Sequence, residues 1–287
     1  MILVTGATGQ LGTIVVNELL KKVPAGEVAV LVRDQQKAAA FQQQGVSVRV
    51  ATYQDTAALA TALQGIEKVL LISSSDLNGR FEQHKNVVDA AKTAGVKHVL
   101  YTGITMQNAT TSPLKDFVSD HFRTEEYIQA NGFTYTFLQN SLYAEVIPMF
   151  AGPQAVETGI FFPAGEGKVS FAARQDLGEA TANILATTGH ENKTYQLTGT
   201  AAYSFAEVAT TLSSLANKTV NYISPEPAAF EETLKGFGLP AEIIGMSLGF
   251  SAAIKHNDFE VVDTTLERLL GRTATDLTTY LKTAYNL

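Results

Sequence analysis

The stretch SDHFRTEEY places His121 and Glu125 four residues apart, on one face if the segment is helical. A buried imidazole and carboxylate in that relation could pass a proton, as a general acid–base pair does. A second stretch, VTGATGQLG, sets Gly6, Gly9 and Gly12 at intervals of three. Between a strand and a helix, that spacing suits a dinucleotide pyrophosphate. Gly6 permits the tight turn, Gly9 has no side chain to hold the phosphates off the backbone, and Gly12 lets the helix pack close to the strand. Thr8 lies in the turn, and Gln10 and Leu11 open a helix whose free N–H groups and partial positive charge favour the phosphates. Further on, VLVRD ends in Arg33 and Asp34, with Lys37 one turn later. A carboxylate near this place accepts from the ribose 2′-OH of NAD, whereas an arginine suits the 2′-phosphate of NADP. Arg33 with Lys37 favours NADPH and makes NADH the weaker expectation, while the Asp34 carboxylate would repel the phosphate.

These residues need a scaffold, and its elements are legible. Short apolar runs recur at 2–5, 28–32, 46–50, 68–72, 98–102 and 135–139. Most are rich in Val, Ile and Leu at successive positions, as buried parallel strands are. Amphipathic segments lie between them: Leu11, Val15 and Leu19 recur at helical spacing, and NVVDAAKTAG ends at Gly95, a helix C′ residue. Repeated strand–helix–strand units imply an α/β fold, a Rossmann-type doubly wound parallel sheet. Residues 1–150 form the expected NAD(P)-binding domain. Residues 151–287 form a smaller C-terminal α/β substrate-side lobe whose tail packs back on the first domain. In it, GIFFPAGEGKVSF reads as two strands around a glycine turn at Gly165 and Gly167. Asp176 with Glu179 resembles a capping box, and helices are expected at 205–216, 227–236, 240–256 and on both sides of Gly271. Ser73, Ser74 and Ser75 end the fourth strand, where small residues approach a cofactor. Tyr101, Thr102 and Gly103 end the fifth, on the nicotinamide side, although Tyr101 could equally be a packed aromatic.

The chain has 287 residues, 45% of them hydrophobic, and a net charge of −7. An acidic surface repels phosphate backbones, so no nucleic acid is expected as partner. The absence of cysteine excludes disulfides, thiolate metal sites and Cys nucleophiles. No His/Asp/Glu set has metal-ligand spacing. No apolar run approaches the ~20 residues that span a bilayer, and the start MILVTGATG is not a signal peptide. A cytoplasmic protein without membrane attachment is expected; no feature sets its oligomeric state.

A GxxGxxG turn at the start of a six-strand α/β chain resembles the short-chain dehydrogenase/reductase superfamily. Such enzymes usually carry Tyr-x-x-x-Lys after the fifth strand, a relay that protonates the carbonyl oxygen. None of the ten tyrosines here has a Lys four residues on. His121-Phe-Arg-Thr-Glu125 stands near that place instead. With VTGATGQLG, the blocks LLKKVPAG, VAVLVRD, LQGIEKVLLISSS, AAKTAGVKHVLYTG and TYTFLQNSLYAE resemble the NmrA-like atypical branch over nearly the whole chain. The resemblance implies an NADPH-dependent oxidoreductase acting on a quinone-like or similar conjugated acceptor. Such a π-system takes hydride directly, so catalysis becomes chiefly positioning. It also implies that Phe137, Leu138, Asn140 and Tyr143 line the pocket and that Arg174 touches the cofactor. Tyr101 and His121 are the candidate catalytic residues. The competing reading is a non-catalytic, NAD(P)-sensing regulator acting through a protein partner, because a missing Tyr–Lys pair fits that as well.

Overall fold

The computed structural model describes residues 1–74, 76 and 79–287; Ser75 lies outside the described residues. The first half alternates strand and helix: β1 (Ile2–Val4), α1 (Gln10–Leu19), β2 (Val28–Val32), α2 (Ala39–Gln43), β3 (Ser47–Val50), α3 (Thr56–Ala62), β4 (Lys68–Leu71), α4 (Arg80–Ala94), β5 (His98–Ile104), α5 (Lys115–Ala130) and β6 (Thr134–Asn140). The second half contains α6 (Ile147–Ala151), α7 (Ala155–Thr158), β7 (Ile160–Phe161), β8 (Lys168–Val169), α8 (Arg174–Ala186), β9 (Lys193–Leu197), β10 (Tyr203–Ser204), α9 (Phe205–Ala216), β11 (Tyr222–Ile223), α10 (Pro227–Gly236), α11 (Ala241–Lys255), α12 (Thr265–Leu270) and α13 (Leu277–Ala284).

Seven described strands form one parallel sheet in the order β3-β2-β1-β4-β5-β6-β9. Side chains alternate between its faces, as the period of two requires. Val4, Val30, Leu70, Leu100 and Leu138 pack with α1 and α8 residues such as Val15 and Leu177. Leu3, Leu31, Leu71, Tyr101 and Phe137 face the other way, against α3, α4 and α5 residues such as Leu59, Val87 and Ile128. All five residues of β2 are buried, because both faces are covered by helices. Gly95 ends α4 in the left-handed region, φ +78°, where glycine carries no Cβ penalty.

A separate apolar cluster gathers the second half: Phe162, Phe205, Val208, Ile254, Phe259 and Leu281 are fully buried there. That half also contributes outside its own cluster, since β9 is the seventh strand of the main sheet and α8 packs on α1. Gly178 of α8 approaches Ile14 so closely that a Cβ would lie 2.4 Å from its Cγ2.

Two local expectations are corrected. The strands flanking Gly165 exist, but they do not pair with each other: β7 pairs with β11 in parallel, and β8 pairs with β10 antiparallel. Gly165 has positive φ, +56°, while Gly167 is needed for another reason, because a Cβ there would come within 1.9 Å of the Ile254 carbonyl oxygen. Asp176 is not a cap. The helix starts at Arg174 without a side-chain cap, and the fully buried Asp176 accepts from Arg272 Nη2 at 2.7 Å and from the Thr275 N–H at 2.6 Å. No helix among the described residues is long and apolar enough to cross a membrane.

Candidate functional site

The chain leaves β1 towards β2 and β3, then returns to place β4 on the other side of β1. Such a reversal opens a crevice at the carboxyl ends of the strands, where ligands of open α/β sheets bind. A cleft of about 270 Å³ lies there, with Gly6, Thr8, Gly9, Arg33, Ser73 and Ser74 on its walls. Six residues singled out from sequence are thus brought together. The turn is closed by the Gly9 N–H donating to the Gly6 carbonyl, 2.9 Å, and Gly6 takes φ +58°. A Cβ on Gly12 would lie 2.2 Å from the Gly6 oxygen, so α1 can seat against the turn only with glycine there. Gln10 is exposed at the first helical position, whereas Leu11 is buried in the core behind the turn.

Arg33 is exposed at the far wall. Asp34 is occupied elsewhere: its Oδ1 accepts the Gln36 N–H at 2.9 Å and caps the helical turn Gln35–Ala38. Lys37 is exposed in that turn and does not line the cleft.

Tyr53 was not anticipated. It lies beyond the end of β3, lines the cleft, and donates from its hydroxyl to Thr5 Oγ1 at 2.6 Å. Thr5 Oγ1 also accepts the Ile72 N–H at 3.0 Å, so one hydroxyl pair ties the ends of β1, β3 and β4 together. Burial pushes the Tyr53 hydroxyl up to about 12. The rule that cofactors meet strand ends, applied to the third strand as to the others, would have found it.

The site continues towards β5 and β6. Thr102 Oγ1 accepts the Ser73 N–H at 2.9 Å, and the Ser74 N–H donates to His84 Nε2 at 3.1 Å. His84 therefore carries its proton on Nδ1, which faces Thr124 Oγ1 at 3.0 Å. Burial, with Arg80 nearby, pushes His84 down to about 3. His84 is thus a packed, neutral residue that pins the loop after β4. Phe137 and Leu138 do not line the cleft itself. Both are buried inside the sheet, one on each face, because strand positions that far from the carboxyl end lie beneath helices. Asn140, the last residue of β6, is only 3% exposed, and its side-chain amide lies beside the Tyr143 hydroxyl. Tyr143 and Arg174 do meet: the guanidinium lies 4.3 Å above the tyrosine ring. The Arg174 N–H donates to Glu145 Oε1 at 3.0 Å.

The opening His–Glu pair is not a pair. His121 Nδ1 lies 2.9 Å from the Tyr101 hydroxyl, whereas Glu125 accepts from Gln139 Nε2 at 3.0 Å. Tyr101 is fully buried, and neither it nor His121 lines the cleft. Burial raises its hydroxyl far above the usual range. Burial first, then Arg80 and His84, push His121 down to about 3. Glu125 is raised to about 7 by burial, with Gln139 opposing; it fills the space beside Gly103, where a Cβ would lie 2.7 Å from its Oε1. Among the described residues no His/Cys/Asp/Glu group could hold a metal ion.

A model of the NmrA-like family matches residues 1–283. Quinone oxidoreductase 2 of Escherichia coli (strain K12) is 40% identical over 288 residues, spanning 100% of this chain and 99% of its own. The crystal structure of NADPH-dependent quinone oxidoreductase from Escherichia coli complexed with NADPH superposes with a TM-score of 0.94 at 39% identity, over 100% of both chains. That of the Citrobacter sp. triphenylmethane reductase complexed with NADP(H) gives a TM-score of 0.92 at 36% identity, over 99% of this chain and 100% of its own.

Proposed function

We infer from the chain's membership of the NmrA-like family that it is an NADPH-dependent oxidoreductase of quinone-like conjugated acceptors. The observation that carries this is the cleft at the β1/β4 switch, with Gly6 and Gly9 at one wall and Arg33 at another. NADPH fits it on three counts. Gly9 has no side chain to occupy the turn, where a Cβ would already crowd the Gly6 oxygen at 3.2 Å. Arg33 supplies a cation for the 2′-phosphate while Asp34 is engaged in its cap. Asn140 offers a buried amide beside the Tyr143 hydroxyl, which suits a ligand's own amide.

When bound, NADPH supplies the hydride. The chain's part is to hold and orient. The Gly6–Gly12 turn and the start of α1 take the pyrophosphate, and Arg33 takes the 2′-phosphate. Asn140 and the end of β5 position the reacting end. Tyr143 and Arg174 stiffen the rim, and the 151–287 lobe frames the acceptor. His121 is neutral near pH 7 and Tyr101 is protonated, so neither is a strong acid. A quinone disperses the incoming charge over its π-system, and solvent can supply the proton; proximity does most of the work.

The test is oxidation of NADPH, followed at the reduced-nicotinamide band, with a panel of benzo- and naphthoquinones. Turnover with at least one, and weaker turnover with NADH, is expected. Tight NADP binding without turnover of any acceptor would overturn the reading in favour of a cofactor-sensing regulator.

A further inference from the structure

His121 presents a hydrogen-bond donor that the protein leaves unused. Tyr101 is sealed in the sheet, and its hydroxyl lies 2.9 Å from His121 Nδ1, where it can donate to that nitrogen. A neutral imidazole that accepts at Nδ1 carries its proton on Nε2. No hydrogen bond from that N–H is seen among the described residues, and the side chain is half-buried. Arg80, itself 4% exposed, is the cation that opposes a second proton on the ring. The imidazole is thereby one fixed donor rather than a titrating base.

Its surroundings suit a flat ring. Phe117 stands one turn earlier on α5, on the same face as His121. Phe117 meets Phe250 of α11 edge-on at 5.5 Å, and Phe250 meets Phe150 of α6 at 5.7 Å. All three are only half-buried. An aromatic row shared by α5, α11 and α6 thus begins one turn from His121, with the Arg80 guanidinium 5.5 Å from the Phe117 ring.

We propose that His121 reads the acceptor's oxygen, its Nε2–H donating to a quinone carbonyl while Tyr101 holds the ring in the tautomer that makes this possible. This rests on the reductase reading above. Hydride addition to a quinone gives the hydroquinone monoanion, with the new charge on oxygen. Water then supplies one proton to yield the hydroquinone, and His121 keeps its own. The hydrogen bond strengthens as the oxygen becomes anionic, so it acts mainly on kcat. A triarylmethane cation takes hydride at carbon and becomes neutral; it has no oxygen for His121 to read. His121 is therefore a specificity residue that favours quinones over oxygen-free acceptors, and Tyr101 is its positioning residue.

The experiment measures kcat and KM for a benzoquinone and for crystal violet with the wild type, His121→Ala, His121→Gln and Tyr101→Phe, each checked for NADPH affinity. His121→Ala should lower quinone kcat by about 10- to 100-fold, the range of a hydrogen bond to a charged group. The quinone-to-dye ratio should fall at least ~10-fold for the same reason. His121→Gln retains an N–H of similar reach and should recover part of the loss; Tyr101→Phe should lose part. Where the dye is not turned over, recovery by His121→Gln with the quinone alone supports the proposal. Equal loss on both acceptors, or no rescue by Gln, overturns it. A fall of ~10³-fold or more with a new limb in the pH profile also overturns it, because that marks a general acid. If the wild type reduces neither acceptor, the reductase reading fails and this inference with it; if the wild type is active and the ratio is unmoved, only the inference fails.

Discussion

Arg33 and Glu125 show what single side chains decide. Arg33 is the cation on the cleft wall, and Asp34 beside it has its carboxylate turned to the Gln36 N–H. Arg33→Ala should weaken NADPH by about 10- to 100-fold, the worth of a charge-assisted hydrogen bond, and NADH by no more than about twofold, since NADH lacks the 2′-phosphate. Fluorescence titration of both nucleotides checks this, and equal weakening would deny Arg33 its role. Glu125 titrates at about 7 in the fold, against about 4.3 in an unfolded chain. Between those values the folded state holds more protons, so stability falls as pH rises through the window, by about 4 kcal/mol in all. His84 and His121, both lowered, act with the opposite sign below about pH 6.5, so the difference from Glu125→Gln isolates the carboxyl. Urea midpoints from pH 4.5 to 7.5 should converge at the acid end and separate at the neutral end, with the variant more stable; parallel curves would show that Glu125 does not titrate there. The spacing of His121 and Glu125 was legible in sequence, but their partners were not. Tyr101 and Gln139 belong to strands, and only the docking of α5 on the sheet decides which side chain meets which.

At the scale of elements, the strand–turn–helix unit was readable because its demands are local. Gly6, Gly9 and Gly12 each answer to the backbone within one turn, and the structure separates their tasks. Gly12→Ala drives a Cβ into the Gly6 carbonyl and the Ala7 backbone, so α1 must shift; a loss of about 3 kcal/mol and of NADPH binding is expected. Gly9→Ala meets only the Gly6 oxygen at 3.2 Å and should leave the thermal midpoint nearly unchanged while blocking the phosphates. Calorimetry with and without NADPH distinguishes the two, and a stable, NADPH-binding Gly12→Ala protein would refute the packing argument. The strands around Gly165 were misread for the converse reason. A glycine-rich turn between apolar runs is a local signal of a hairpin, but β7 and β8 find their partners in Tyr222–Ile223 and Tyr203–Ser204, far along the chain. Asp176 and Glu179 likewise had the spacing of a cap, and the tail claimed them instead.

That claim joins the molecule end to end. Arg272, between α12 and α13, reaches Asp176 at 2.7 Å and Glu179 at 2.5 Å, both on α8. The Thr275 N–H also ends on Asp176. From α8 the path runs through Gly178 and Ile14 to α1, the helix whose start cradles the phosphates. A boundary near residue 150 therefore cuts both the sheet and the apolar clusters, because β9 joins the sheet while α8 and α12 pack into the cluster around α1. The chain's last turns brace its first helix, and the brace has unequal members. Asp176 is 1% exposed and the Arg272 side chain 42%. Asp176→Ala strands a backbone N–H and removes a buried charge that has two partners, so it should cost about 2–4 kcal/mol. At about 2–4 °C per kcal/mol for a chain of this size, the midpoint should drop by about 5–15 °C. Arg272→Met leaves Asp176 with the Thr275 N–H and exposes little, so its loss should be less than half as large. Saturating NADPH binds only the folded state and should raise every midpoint by a similar amount. Scans of both variants with and without NADPH check this. Equal losses would mean that Asp176 acts only through Arg272, and that the tail is held to α8 by one exposed ion pair rather than by a buried acceptor serving two segments.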